Sequence, residues 1–309
     1  MGAGTNRKHC VESPLRKALE ASKIFRTQAE AARYLGIPRT TYRDRLQTAR
    51  ETSHVKGRHI VDLDDGIVLV GGDAHYWPGA PSTAHKAFVK FCTDLKPDIV
   101  VMNGDVLDAS SISRHPPIGW NRLPSVKEEI DTAIERLDEI VAATPNAPHL
   151  WPLGNHDARL ETRLAQVAPE LKDVYGTSLN DHFPDWQGCW SVHINDRPGG
   201  VVVTHRFKGG MHAPQNNALW AGRSIVTGHL HSLKVMPVSD YNGTRFGVDA
   251  GCLAEPYHDA FQDYTEDAPK NWRSGFVVLT FKRGHLLWPE VCHVIEPGIV
   301  EFRGELITV

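Results

Sequence analysis

Four short runs of aliphatic, largely β-branched residues each stop at an acidic or imidazole side chain. Ile67 to Gly71 runs into Gly72-Asp73, Ile99 to Met102 into Gly104-Asp105, Val201 to Thr204 into His205, and Ser224 to Thr227 into Gly228-His229. Runs of this length read as buried strands, and in α/β sheets ligands gather just past the carboxyl ends of strands. A fifth block, Gly154-Asn155-His156-Asp157, completes an ordered series of GDAH, GD, GNHD, VTH and GHLH, which therefore converges on one rim.

The side chains in these blocks are carboxylates, imidazoles and one amide, with no thiolate. Hard carboxylates mixed with intermediate imidazoles suit Mn, Fe or Zn better than Ca or Mg, which prefer all-oxygen shells. Two cations about 3.5–4 Å apart also need an anionic ligand that bridges them. Asp105 is the candidate. Any one block taken alone, such as His205, is more often an ordinary capping or surface group, and it is the ordered conjunction of five that carries the reading.

In this order the blocks resemble the calcineurin-like metallophosphoesterase superfamily, whose pattern is D-x-H, G-D-x-x-D, G-N-H-[DE], H and G-H-x-H, across roughly residues 66 to 235. The resemblance implies two divalent metal ions, with Mn favoured over Fe or Zn. It implies Asp73, His75 and His231 on one ion, Asn155, His205 and His229 on the other, and Asp105 touching both. It further implies His156 as a non-ligand histidine that meets the substrate phosphate, with Asp157 beside it to orient the ring, and Asp108 supporting the ligands from behind. The expected chemistry is attack of a metal-activated hydroxide on phosphorus, without a side-chain nucleophile and with inversion. Two departures stand out: Ala74 occupies the middle of D-x-H, and GDVLDA replaces the GDYVDRG form of Ser/Thr protein phosphatases, which disfavours that activity.

Beyond the blocks, the chain of 309 residues carries a net charge of only −3, with no apolar stretch of membrane-spanning length and no apolar core after its first basic residues. Five cysteines, Cys10, Cys92, Cys189, Cys252 and Cys292, form no C-x-x-C pair. A cytoplasmic protein with free thiols and no membrane attachment is expected. The near-neutral total conceals an asymmetry. Residues 1 to 50 hold 11 Lys and Arg against four acids, a balance of +7, which leaves −10 for the rest. A basic head on an acidic body points to a polyanion bound by the head.

That head has helical punctuation: Ser13-Pro14 as cap and first-turn proline, the capping box Thr27 to Glu30, and a turn at Gly36-Ile37-Pro38 before a third helix from Thr40 or Thr41 to about Ala49. The stretch Ala29 to Leu46 resembles the Fis-type helix-turn-helix family. The resemblance implies a core of Ala32, Leu35, Ile37, Tyr42 and Leu46, and DNA contact through Arg39, Thr40, Thr41 and Arg43, with Arg45 or Arg50 on phosphates. A three-helix module for homo-oligomerisation or protein binding is the alternative.

The expected organisation is thus a helix-turn-helix over 1–50, a linker over 51–65 and a phosphoesterase domain over 66–309. Within the last, helices at Thr83 to Lys96 and from Ser125 onward alternate with strands, and five further strand signals follow from Trp190 to Phe281. This predicts an α/β fold of two packed mixed sheets flanked by helices. In loops beside the blocks, Arg114, Arg206 and Lys208 are candidates for substrate phosphate, and Trp120 and Trp220 for base stacking. His115 and His258 are candidates for the cleft, while the histidines outside the blocks, His85, His149 and His193 among them, are expected on the surface. The function these features favour is a dinuclear-metal phosphodiesterase or nuclease acting on DNA. The alternatives are a phosphomonoesterase or cyclic-nucleotide phosphodiesterase whose head serves assembly, and a DNA-binding regulator whose body senses a ligand.

Overall fold

The computed structural model describes residues 14–51, 56–114, 123–256 and 270–309. In these the helices are α1 (Pro14–Ile24), α2 (Gln28–Tyr34), α3 (Arg39–Glu51), α4 (Thr83–Leu95), α5 (Val126–Ala143), α6 (Arg159–Val167) and α7 (Ala213–Ala221). The strands are β1 (Lys56–Val61), β2 (Gly66–Gly71), β3 (Ile99–Met102), β4 (His149–Pro152), β5 (Trp186–Ile194), β6 (Val201–Val203), β7 (Ser224–Thr227), β8 (Lys234–Asp240), β9 (Gly243–Asp249), β10 (Gly275–Lys282), β11 (His285–Leu286), β12 (Glu290–Glu296), β13 (Ile299–Phe302) and β14 (Glu305–Thr308).

Alternation along the strands decides the layering. On β2, Val68 and Val70 join one apolar cluster and Leu69 another; on β3, Ile99 and Val101 part from Val100 and Met102 in the same way. The first cluster also contains Val203 of β6, Val226 of β7 and Val248 of β9, so it lies between two facing sheets. The second is roofed by α4 and α5 through Phe88, Phe91, Ile130 and Leu137. On the far side α7 covers β6 to β8 through Ala218, Ile225 and Val238. The result is the expected four-layer sandwich, helices outside two sheets.

One feature of the sandwich differs from two separate sheets. The hydrogen-bonded order runs without a break as β14-β13-β12-β10-β2-β3-β4-β5-β6-β7-β9-β8. The nine-residue β5 makes the join: Trp186 to Cys189 pair with β4, and Val192 to Ile194 pair with β6. A strand of that length serves both layers when the ladder folds over on itself. Along its second half β5 also pairs with β1, from Lys56↔Cys189 to Val61↔Ile194. Part of the segment expected as a linker is therefore a strand of the body, because its Ile60 and Val61 complete an otherwise open edge of β5.

The head forms three helices around Ala18, Ala21, Ala31, Ala32, Tyr42 and Leu46. Thr27 caps α2 in a reciprocal capping box with Glu30. The turn passes through Gly36 at φ 66°, a left-handed conformation that glycine adopts without strain. Arg16 of α1 makes a two-toothed ion pair with Asp138 of α5, at 2.8 and 3.1 Å, and ties head to body.

Candidate metal centre

The five blocks meet where β2, β3, β4, β6 and β7 end. Backbone hydrogen bonds stitch their loops together: Asp73 N–H to Gly104 O at 2.8 Å, His75 N–H to Asp105 O at 3.0 Å, and Gly228 N–H to His205 O at 2.9 Å. Five of the expected ligands, Asp73, His75, Asp105, His229 and His231, have positive φ between 41° and 71°. Each such residue costs of order 1 kcal/mol, and non-glycine residues held this way cluster at functional sites. Glycines in the blocks leave room for the ligands. A Cβ on Gly154 would collide with Asp105 Oδ1, and one on Gly228 would stand 2.5 Å from Asp73 Oδ2.

Among the described residues three groups of potential ligand atoms form, each within 4.8 Å: Asp73, His75 and His231; Asp105, His205 and His229; and, beside the first, His75, Asp108 and His156. Asp73 and Asp105 are buried, at 0% and 1% exposure. Asp73 Oδ1 lies 2.9 Å from His231 Nε2, and Asp105 Oδ2 lies 3.1 Å from His205 Nε2. Asp73 also accepts the His229 N–H, so it stands between the first two groups. Asn155, the expected amide ligand, is half-buried on the rim and its Oδ1 has no hydrogen-bond partner among the described residues. The same holds for His231 Nδ1.

Two buried carboxylates this close demand positive charge. Burial alone would lower the His205 pKa, but the charges of Asp73 and Asp105 and the hydrogen bond that the ring donates to Asp105 raise it to about 10. Burial would likewise raise Asp105, yet the neighbouring imidazoles hold it well below the carboxylate range. A proton thus does on His205 what a cation would do between these groups, and the donor set fits divalent metals. Partners behind the ligands fix the rings. His205 Nδ1 donates to Asn103 O at 2.8 Å, and His75 Nδ1 lies 3.1 Å from Asp108 Oδ1, so the Nε2 atoms turn to the centre.

The expectation for Asp157 needs correction. Its carboxylate faces away from His156 and accepts from the N–H groups of Val106, Leu107 and Gly154 and from Trp151 Nε1. It is an anchor that shapes three loops, since a fully buried carboxylate must satisfy its lone pairs locally. The partner of His156 is Asp108, at 2.9 Å from Nδ1. Burial opposes protonation of His156, but Asp108 and Asp105 outweigh it and raise its pKa.

Arg114 and Arg206 do come together, in a cleft of about 400 Å³ that also includes Asn155. The cleft adds Arg159 and Arg163 of α6, which sequence reasoning missed. Arg159 donates to Asp108 O at 2.7 Å and lies 3.2 Å from His156 Nε2. Its position three residues after His156, one helical turn on, was the available signal. Glu129 and Asp249 were missed as well: Glu129 accepts the N–H groups of Asp108 and Ala109, and Asp249 holds Ser232 and Gly251. Trp220 does not line the cleft; it is 71% exposed under Lys208. Arg39, Thr40 and Arg43 are exposed at the start of α3 and Thr41 is half-buried. His115, Trp120 and His258 lie outside the described residues.

His85, His149 and His193 are buried, against the surface placement expected of them. His85 sits on the inner face of α4 between Tyr76 Oη and Glu139, which supply both of its ring nitrogens with partners.

Among the described residues no helix is long and apolar enough to cross a membrane. Residues 67–250 match the family model described as calcineurin-like phosphoesterase. Two phage proteins, each named Gene 54 protein, are similar: that of Mycobacterium phage L5 is 26% identical and that of phage D29 28%, both over 68% of this chain and 87% of theirs. Among solved structures, wild-type Vps29 complexed with Zn from Entamoeba histolytica is 15% identical, with a TM-score of 0.41, over 78% of this chain and 98% of that one. An archaeal phosphodiesterase is 14% identical, with a TM-score of 0.36, over 74% and 99%. With the family matched across more than half its length and the family's ligand types gathered at the strand ends, the chain belongs to the calcineurin-like phosphoesterases.

Proposed function

We propose that this phosphoesterase is a dinuclear-metal phosphodiesterase acting on DNA, with the N-terminal helices holding the substrate near the cleft. The observation that carries the reading is the junction of two ligand sets sharing the Asp73–Asp105 region with a cleft lined by arginine, in a chain whose first 50 residues are strongly basic. Asp73, His75 and His231 would hold one cation and His205 and His229 the other, with Asn155 Oδ1 as a further donor and Asp105 serving both. When bound, such cations, Mn above the others, supply a water of lowered pKa and neutralise charge on the phosphoryl oxygens.

The chain's own residues do the rest. His156, with Nδ1 held by Asp108, turns Nε2 toward the cleft, where Arg159 lies 3.2 Å away; once Arg159 engages phosphate instead, the protonated ring gives its Nε2 proton to the leaving oxygen. Arg114 and Arg206 orient the phosphate by charge-assisted hydrogen bonds. In the head, Arg39, Thr40, Thr41 and Arg43 at the exposed start of α3 meet the duplex as a helix-turn-helix does. Tethering raises the local substrate concentration without new contacts at the reacting centre.

The test is a panel of single- and double-stranded DNA, a cyclic nucleotide and a phosphomonoester, incubated with Mn²⁺ and full-length protein. DNA cleavage that weakens in R39A/R43A is expected. Intact DNA alongside efficient hydrolysis of the monoester would overturn the reading.

A further inference from the structure

Four arginines, Arg114, Arg159, Arg163 and Arg206, line the cleft beside Asn155, and among the described residues no acidic side chain does. Two of them belong to α6, where Arg159, Thr162, Arg163 and Gln166 fall at positions i, i+3, i+4 and i+7. That spacing puts all four on one face of the helix, spanning about 10 Å away from the metal centre. The only acid of α6, Glu161, is engaged elsewhere, accepting from Ser178 Oγ and Leu179 N–H, both at 3.0 Å.

Arg159 sits against electrostatic preference. It opens α6, where the helix dipole is positive and the preceding Ala158 offers no side-chain cap. Its two described hydrogen-bond neighbours are a carbonyl oxygen and an imidazole, neither of them an anion. A cationic side chain at the positive end of a helix, in a concave surface whose described lining holds no carboxylate, is completed by an anion.

We infer that the α6 face is a second phosphate subsite, which takes the backbone phosphate next to the scissile one, so that the substrate is a chain of phosphodiesters and not an isolated ester. Arg159 lies closest to the reacting centre through His156, and Arg163 extends the subsite outward. The inference deepens the proposed activity on DNA and rests on it for the identity of the scissile group.

The test is equilibrium binding of single-stranded tetrathymidylate to full-length, metal-free protein, at several salt concentrations. The ligand is too short for a duplex reader to engage. R163Q is expected to bind roughly tenfold more weakly, with a salt dependence shallower by about 0.7, the value for one phosphate contact on a single strand. R163K should recover part of the loss, and K86Q, exposed on α4, should bind as the unaltered protein does. A tetramer with neutral methylphosphonate linkages should not bind. Wild-type affinity and salt dependence in R163Q, or equal binding of the neutral tetramer, would overturn the subsite. DNA cleavage by the manganese-loaded protein is scored separately: binding that needs Arg163 without cleavage removes the proposed activity and leaves the subsite, and the reverse removes the subsite alone.

Discussion

The carboxylate of Asp108 stands 2.9 Å from Nδ1 of His156. The same oxygen, Oδ1, lies 3.1 Å from Nδ1 of His75, so one carboxylate orients both a candidate metal ligand and the histidine proposed to meet substrate. D108N keeps an acceptor oxygen but loses the charge that strengthens both contacts and favours the protonated His156 ring. Turnover of bis(p-nitrophenyl) phosphate with Mn²⁺ is expected to fall about 10–100-fold. Unaltered turnover and metal affinity would remove Asp108 from this role.

Asp157 is expected to behave differently. Four donors end on its carboxylate, and D157A would leave them buried and unsatisfied. Each such group costs about 1–3 kcal/mol. Chemical denaturation should show a loss of at least about 3 kcal/mol, and a stable D157A with low turnover would instead favour a direct part in the chemistry.

Metal removal should destabilise the fold. Five of the seven expected ligands hold positive φ, and Asp73 and Asp105 are buried together, so the metal-free state retains strain and repulsion. Mn²⁺ at a hundredfold excess over its Kd should add about 2.7 kcal/mol. In scanning calorimetry this is a rise in Tm of roughly 5–10 °C, reversed by a chelator. An unchanged Tm would count against a resident metal.

Burial raises the pKa of Glu129 to about 7 from an ordinary 4.5, despite its hydrogen bonds to the N–H groups of Asp108 and Ala109. The folded state then binds the proton more tightly than the unfolded chain. Stability falls as pH rises from about 4.5 to about 7 and is flat in this respect outside that window. E129Q keeps an acceptor for the same N–H groups and lacks the titration. Its stability relative to the unaltered protein should therefore improve across the window, by an amount on the order of 2–3 kcal/mol in urea unfolding of the metal-free forms. A difference that does not change with pH would refute this.

The Arg16–Asp138 pair is 11% and 6% exposed, so neither charge is well solvated. D138N removes the carboxylate charge from this buried pair, at a cost of about 3 kcal/mol. Hydrogen exchange in 14–51 should accelerate while that of β2 and β3 stays as before. Unchanged protection of the head would show that it is held by other contacts.

The strand–ligand junctions were legible because the signal is local. An apolar run that ends on Gly-Asp or Gly-His declares both a buried strand and what projects from its end, as Ile67 to Asp73 and Ser224 to His229 do. The helices capped at Ser125 and Thr27 were legible for the same reason, since a capping box lies within four residues. The edge pairing of β1 was not, because Lys56 to Val61 becomes a strand only once β5 offers it a partner more than 130 residues away. The switch of His156 from Asp157 to Asp108 was also hidden: adjacency in sequence suggested the first, while the turn at Gly154 directs Asp157 into the body and leaves Asp108 against the ring.

Which residues can serve two cations, and in what order the strands deliver them, is written along the chain, because ligand type and strand end are properties of sequence neighbours. Which carboxylate orients which imidazole, the loan of Arg159 and Arg163 from α6 to the cleft, and the joining of two layers by one long strand arise in the folded molecule. Those outcomes depend on distances between segments far apart in the chain, which burial and packing set collectively and no short motif encodes.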